Sequence, residues 1–298
     1  MRLSEIKIHD YEYKIHRDGN FEYLGHSFIK KPDCILTFCD RKEFIETIIE
    51  NKQISCLITT DDFSVFFKDL DIGLITYDNP RELFFKIHNI YGNRSNKTNQ
   101  PSFIHPSAEV SEKAVIADKN VIIGENSIVH DYAIIHSNTR IGKNCEIGSF
   151  TTIGGEGFQF WKCRSGIMDV KHYGGVTIGD NCILKEYTSI HKALFQWDNT
   201  LIGNEVKIDS HAHIGHGNKI QNHIYICSHA NISGNSIIED NCYIGPGVNI
   251  PNRLIIHTNS KLSVGATVTK DIPKDSIYSG NFAIEHQKFI KHIKSISE

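Results

Sequence analysis

The segment KIDSHAHIGHGNKI, residues 207 to 220, places three imidazoles, His211, His213 and His216, within six positions of one another. Imidazole has an unperturbed pKa near 6.5, so a positioned histidine can take and return a proton at working pH, an effect worth about 10²–10⁴-fold in rate. Histidine is also the commonest metal ligand, and the H-x4-H spacing of His211 and His216 makes a zinc site a legitimate alternative. A third reading is a set of solvated surface rings. The eight cysteines offer less, because no C-x-x-C pair occurs and the closest spacing is Cys34 and Cys39. Scattered thiols of this kind read as reduced and buried, not as a disulfide framework or a zinc knuckle.

The elements that must carry these side chains follow from a period of six. From Ile202 every sixth residue is apolar: Ile208, Ile214, Ile220, Ile226, Ile232, Ile238, Ile244, Ile250, Ile256, Leu262 and Val268. The register extends back through Ile190, Leu184 and Ile178, with Gln196 the one polar exception. Further runs hold at Val129, Ile135, Ile141, Ile147 and Ile153, and at Ile104, Val110 and Ile116, with a one-residue slip near Ile122 and Ile123. A helix would repeat at mixed threes and fours, and simple strand alternation would not single out the sixth residue. The period therefore predicts a parallel β-helix whose slot residues stack inward from coil to coil. The residue four after the slot is often small or apolar (Val206, Ala212, Ile224, Ala230, Cys242, Val248). Glycines just after the slot (Gly142, Gly148, Gly179, Gly203, Gly215, Gly245) are expected to serve corners of unusual φ. His216 lies two residues after Ile214, so its ring should point out of the prism.

Residues 1–92 lack the repeat and read as a small α/β domain. RKEFIETIIEN and NPRELFFKIHNIY have helical spacing, the second opening on an Asn79 cap and Pro80 at the first helical position. ISCLITTDD and IGLITYDN read as strands. Residues 93–102 form a polar linker, 103–272 the β-helix, and 273–298 a tail ending in a short basic helix with Lys288, Lys291 and Lys294. Residues 154–175 and 191–199 break the register, and excursions from a repetitive scaffold are where function concentrates. The net charge of -3 gives no electrostatic footprint for nucleic acid. No apolar run is long enough to cross a bilayer, and the start lacks the apolar stretch of a secretion signal, so a cytoplasmic location is expected.

MRLSEI, ILTFCDRKEF, GGEGFQF, GGVTIGDNCIL, IDSHAHIGHG and IYSGNFAIEHQKFIK occur in that order along the chain. With them the chain resembles the UDP-3-O-acylglucosamine N-acyltransferases of lipid A biosynthesis, within the hexapeptide-repeat acyltransferases. The resemblance implies a left-handed β-helix, a homotrimer with sites between subunits, and an acyl thioester donor on coenzyme A or an acyl carrier protein, with no permanently bound cofactor. It implies His216 as general base and Asp209, seven residues earlier, as its acidic neighbour. Phe38 and Phe44 fall where the family sandwiches a uracil, and Arg41 lies between them, its planar fork suited to a diphosphate. Gly157 and Phe158 match a loop near the acyl site.

The chain departs from the family at HKA, His191 to Ala193, where an Asp-Arg-Gly is usual, and at Gly215-His216-Gly217, where Ala-His-Asn is usual. Arg253 stands where a second histidine is usual. His191, Arg253 and His213, beside the base, are taken as substrate-contacting candidates. The expected function is transfer of an acyl group to the amine of a nucleotide-linked amino sugar for surface polysaccharide or lipopolysaccharide. The alternatives are the lipid A step itself, a zinc hydrolyase like the β-helical carbonic anhydrases, and a non-catalytic β-helix.

Overall fold

In the computed structural model the described residues are 1–9, 11–93, 99–280 and 286–296. The expected linker 93–102 therefore lies in part (94–98) outside the described residues, as do 281–285 and 297–298 of the expected tail.

From Val129 onward the apolar slot residues behave as the period predicts, whereas at the start of the coil Ile104 is exposed and Val110 and Ile116 are only partly buried. Ile208, Ile214, Ile220, Ile226, Ile232, Ile238, Ile244 and Ile250 are all buried and form one continuous core with Val206, Ala212, Ile224, Ala230, Cys242 and Val248. Two-residue strands on three faces pair in parallel with the coil above: Lys207–Ile208 with Tyr225–Ile226, His213–Ile214 with Asn231–Ile232, and Lys219–Ile220 with Ile237–Ile238. A regular coil spans 18 residues, as in the Ser236 N–H bond to Asn218 Oδ1. The coil holding Gln196 spans 24, since Ser189 sits against His213, and the one holding residues 154–175 spans 37. The apparent hexad around Gln196 is thus not a face of the prism but an excursion from it. The slip near Ile122 is a three-residue strand, Val121–Ile123, whose ends point inward.

The glycines after the slot serve a different purpose from the one expected. None has positive φ; the left-handed corner is taken three residues after the slot, by Asn126, Asn138, Asn144, Asn181, Asn241 and others. Asparagine tolerates that conformation. The slot-following glycines are required by the next coil instead. A Cβ on Gly215 would lie 2.8 Å from Gly234 N, and one on Gly203 would lie 2.5 Å from Gln221 O. One corner carries rings: Tyr132, Phe150, Tyr187, His211 and His229, each with φ between 59° and 61°. Successive centroids are 4.9–5.0 Å apart. A left-handed non-glycine residue costs about 1–2 kcal/mol, and a ring pair returns about 0.5–1.5 kcal/mol, so stacking offsets most of the strain.

Before the coil, five strands form one sheet in the order Lys14–Arg17, Gly73–Thr76, Ile54–Thr59, Ile35–Cys39, Tyr23–Leu24, with only the first pair antiparallel. The helix Pro80–Tyr91 packs on it through Leu83, Phe84 and Ile87. Its Asn79 side-chain oxygen accepts from Glu82 N at 3.2 Å, as its sequence anticipates. Residues 42–50 are a turn of 3-10 helix running into Ile45–Glu50. Val170, Leu194 and Phe195 from the two excursions join this core, so the excursions anchor the sheet to the coil. Trp197 Nε1 also donates to Leu24 O at 2.9 Å. The C-terminal helix runs His286–Ile296 with its lysines exposed. All eight cysteines are free; Cys34 is exposed and Cys163 and Cys227 are half-buried, contrary to a uniformly buried set.

Candidate active site

His216 opens the turn that follows Ile214. Its backbone carbonyl accepts from Asn235 N at 2.8 Å, and Gly217 takes φ +72° while its N–H reaches Thr200 Oγ1 at 2.8 Å. The imidazole consequently leaves the prism at a corner and forms part of the wall of a cavity of about 450 Å³. Three separate stretches meet there. The N-terminal unit contributes His26, Phe28, Phe38, Arg41, Phe44 and Arg81; the extruded hairpin contributes Trp161; the coils contribute His216, Asn235, Asn252 and Arg253. The hairpin, Phe160–Cys163 paired with Gly166–Asp169, is the 154–175 excursion. It is fixed to the N-terminal unit by Asn89 Nδ2 on the helix, which donates to Asp169 O at 2.7 Å, and by Arg164, which meets Asp78 just before that helix at 3.0 Å.

Among the described residues three guanidinium groups line this cavity, and no carboxylate does. Arg81 is ion-paired to Asp40 at 2.8 Å and lies over the rings of Trp161 (4.3 Å) and Phe38 (5.3 Å). Arg253 lies over Phe28 at 5.2 Å. Burial, then Arg253 and His213, push the His216 imidazole down to about 4, so it is neutral and holds a free lone pair at neutral pH. Burial, with Arg253 next, likewise pushes His26 down to about 3. Trp161 Nε1, Arg81 Nε and His216 Nδ1 are buried without a hydrogen-bond partner. Buried polar atoms are normally paired, so this wall holds unused hydrogen-bonding capacity.

Of the residues singled out from sequence, the structure brings Phe38, Arg41, Phe44, His216 and Arg253 to one cavity. Phe38 also packs on Phe84 at 5.0 Å, so it serves the core and the wall together. Gly157 abuts His216: a Cβ there would lie 3.0 Å from His216 Cδ2. Phe158 is 87% exposed, with an edge contact to Phe160 at 4.8 Å. His191 and His213 pack on each other at 4.7 Å, with His213 Nδ1 3.0 Å from Ser189 Oγ, off the cavity lining. Asp209 is not brought to His216 within the chain. Its carboxylate accepts from Ser210 N (2.8 Å) and Ser228 N (3.2 Å), capping turns on another face. His211 belongs to the corner ladder of rings. Among the described residues no group of three or more His, Cys, Asp or Glu side chains could hold a metal ion. Sequence reading missed His26, Phe28, Arg81 and Trp161. Their only signal was membership of the N-terminal unit or the excursion, because nothing periodic ties them to His216.

Residues 120–155 match the model of the bacterial transferase hexapeptide (six repeats). Two solved structures share the fold. UDP-N-acetylglucosamine acyltransferase from Francisella novicida is 26% identical, with a TM-score of 0.50 over 64% of this chain and 73% of that one. The Campylobacter jejuni counterpart is 20% identical, with a TM-score of 0.50 over 65% and 83%. The fold is accordingly the left-handed β-helix of hexapeptide transferases, with a small α/β unit before it. Over 72 residues the chain is also 39% identical to the UDP-3-O-acylglucosamine N-acyltransferase of Saccharophagus degradans, and equally so to that of Pseudomonas paraeruginosa. These matches span 24% of this chain and 20% of each relative's length.

Proposed function

We propose that the protein is an N-acyltransferase that moves an acyl group from a thioester to the amine of a nucleotide-linked amino sugar. The observation that carries this is the meeting of a neutral, cavity-lining His216 with three arginines and several aromatic rings in one cavity that no carboxylate lines among the described residues. Such a wall suits a ligand with a planar base, an anionic diphosphate and a group to be deprotonated. The N-terminal unit would hold the nucleotide through Phe38, Phe44 and Arg41, with Arg81, Trp161 and Arg253 near the diphosphate and sugar. The UDP-3-O-acylglucosamine N-acyltransferases that match over 72 residues are N-acyltransferases of a nucleotide-linked sugar, which supports the same reading.

In this mechanism His216 removes a proton as the sugar nitrogen attacks the thioester carbonyl carbon. The C–N bond forms and a tetrahedral oxyanion appears, stabilised by donors on the cavity wall. The C–S bond then breaks, the thiolate takes the proton from His216, and the imidazole returns to neutrality. The donor arm is phosphopantetheine of coenzyme A or an acyl carrier protein. A homotrimer, a cytoplasmic location and a role in surface polysaccharide or lipopolysaccharide synthesis belong to the same proposal. Among the described residues no helix is long and apolar enough to cross a membrane. Replacement of the family's second histidine by Arg253 favours an acceptor other than the lipid A intermediate. The test is thiol release from acetyl-coenzyme A and hydroxyacyl carrier protein with a panel of UDP- and dTDP-linked amino sugars. Turnover on one amino sugar supports the reading; none with any pair sinks it.

A further inference from the structure

Nine buried side-chain N or O atoms among the described residues have no hydrogen-bond partner, and three of them are ring nitrogens of two touching histidines: His172 Nδ1 and Nε2, and His216 Nδ1. Such a concentration in one place asks for a reason. The His172 ring, on the chain returning from the hairpin, is fully buried and meets the His216 ring edge to face, with centroids 5.1 Å apart and planes at 72°. Behind it stands Glu156. One carboxylate oxygen accepts from His172 N at 3.0 Å and lies 3.4 Å from Nδ1, and the other is 2.7 Å from Lys192 Nζ. Burial favours the neutral acid, but the bonds from Lys192 and the His172 amide outweigh it and hold Glu156 below the usual carboxylate range. Gly157 permits the contact, since a Cβ there would lie 2.5 Å from His172 Nε2 and 3.0 Å from His216 Cδ2.

We propose that His172 is a positioning residue for His216, with the Glu156 carboxylate keeping a proton on His172 Nδ1 so that the Nε2 lone pair can accept from a His216 ring N–H. A half-turn of the His216 ring about its Cβ–Cγ bond exchanges Cδ2 for Nδ1 and brings a nitrogen to the edge that faces Gly157 and His172. The inference rests on the reading of His216 as the base. When His216 takes the amine proton on one nitrogen, the N–H on the other is shared toward His172, which spreads the new positive charge toward Glu156. No proton leaves for the carboxylate, and the proton gained from the amine is the one delivered to the thiolate. An inert packing pair would need no carboxylate aimed at one ring. The other titratable groups around His216 are Arg253 from two coils further on, His213 on the strand just before it, His191 from the preceding coil and His26 from the N-terminal unit.

The test titrates His216 by NMR in the full-length, histidine-labelled protein without substrate, alongside kcat and KM for acyl transfer across pH. His172→Phe is expected to move the His216 titration to lower pH by about one unit. It should lower kcat about tenfold or more with the acceptor KM unchanged, a part of the whole base effect. His172→Gln, which keeps an acceptor in similar volume, should recover most of that rate, and Glu156→Gln should shift His216 in the same direction by less. An unmoved His216 titration in His172→Phe, or equal losses in the Phe and Gln variants, overturns the proposal. If His172→Phe does not fold, an unmoved titration in Glu156→Gln does so. Absence of turnover in the wild type with the titration shift intact would instead count against acyl transfer itself.

Discussion

The guanidinium of Arg81 lies 4.3 Å from the centre of the Trp161 ring, joining the N-terminal helix to a hairpin extruded from the coil at the wall of the His216 cavity. Trp161→Ala removes the face on which Arg81 rests while leaving the Asn89 and Arg164 contacts of the hairpin in place. Binding of the nucleotide sugar should weaken about tenfold, a cation–π and stacking loss of about 1–2 kcal/mol. Calorimetric titration of wild type and variant with the nucleotide sugar checks this, and unchanged affinity would remove Trp161 from the ligand wall.

His216→Ala should cost about 10²–10⁴-fold in kcat and leave the KM of the nucleotide sugar within a fewfold of wild type. A rise in KM alone would make His216 a binding group. Thiol release at saturating donor distinguishes the two.

Stability should decline in weak acid. Burial leads the forces that push His216, His191 and His88 down to about 4, and His26 and His172 to about 3, all below the ordinary value near 6.5. The unfolded chain therefore binds more protons than the folded one between about 6.5 and 3. The stabilisation from keeping these rings neutral is complete above about pH 6.5 and is lost progressively as pH falls through the folded values. Urea midpoints at pH 7.5, 6 and 5 should fall in that order. A flat profile would contradict the burial of these rings.

Gly215→Ala should destabilise the coil by about 1–3 kcal/mol, since its Cβ would press on Gly234 N at 2.8 Å. Gly247→Ala meets nothing within 4 Å and has φ +66°, so its cost should be the left-handed penalty alone, about 1–2 kcal/mol. Thermal unfolding of the two variants separates steric from conformational demand.

The coil was readable because every slot repeats one physical requirement, an apolar side chain facing its copy in the next turn, and Ile214 fixed the outward direction of His216. Gly215 shows the limit of that reading. Its type was noticed and its reason mistaken, because contact with Gly234 lies across coils and not along the chain. Phe38, Arg41, Phe44 and Arg253 were legible only through resemblance. Arg81, Trp161 and His26 were not, since no local spacing reports which loop will fold against which corner. Asp209 stood seven residues from His216 in sequence, yet the prism turns a face between them.

The two excursions leave the coil and re-enter it beside the strand they left, so that Ile178 pairs with Ile141 on one side and Ile202 on the other. Closing such a loop depends only weakly on its length. The prism therefore works as a socket board: the hairpin and the 191–199 segment can be lengthened, shortened or exchanged while the stack that holds His216 keeps its phase. Under the proposed function, grafting excursions is expected to change acceptor preference with the coil left as it is.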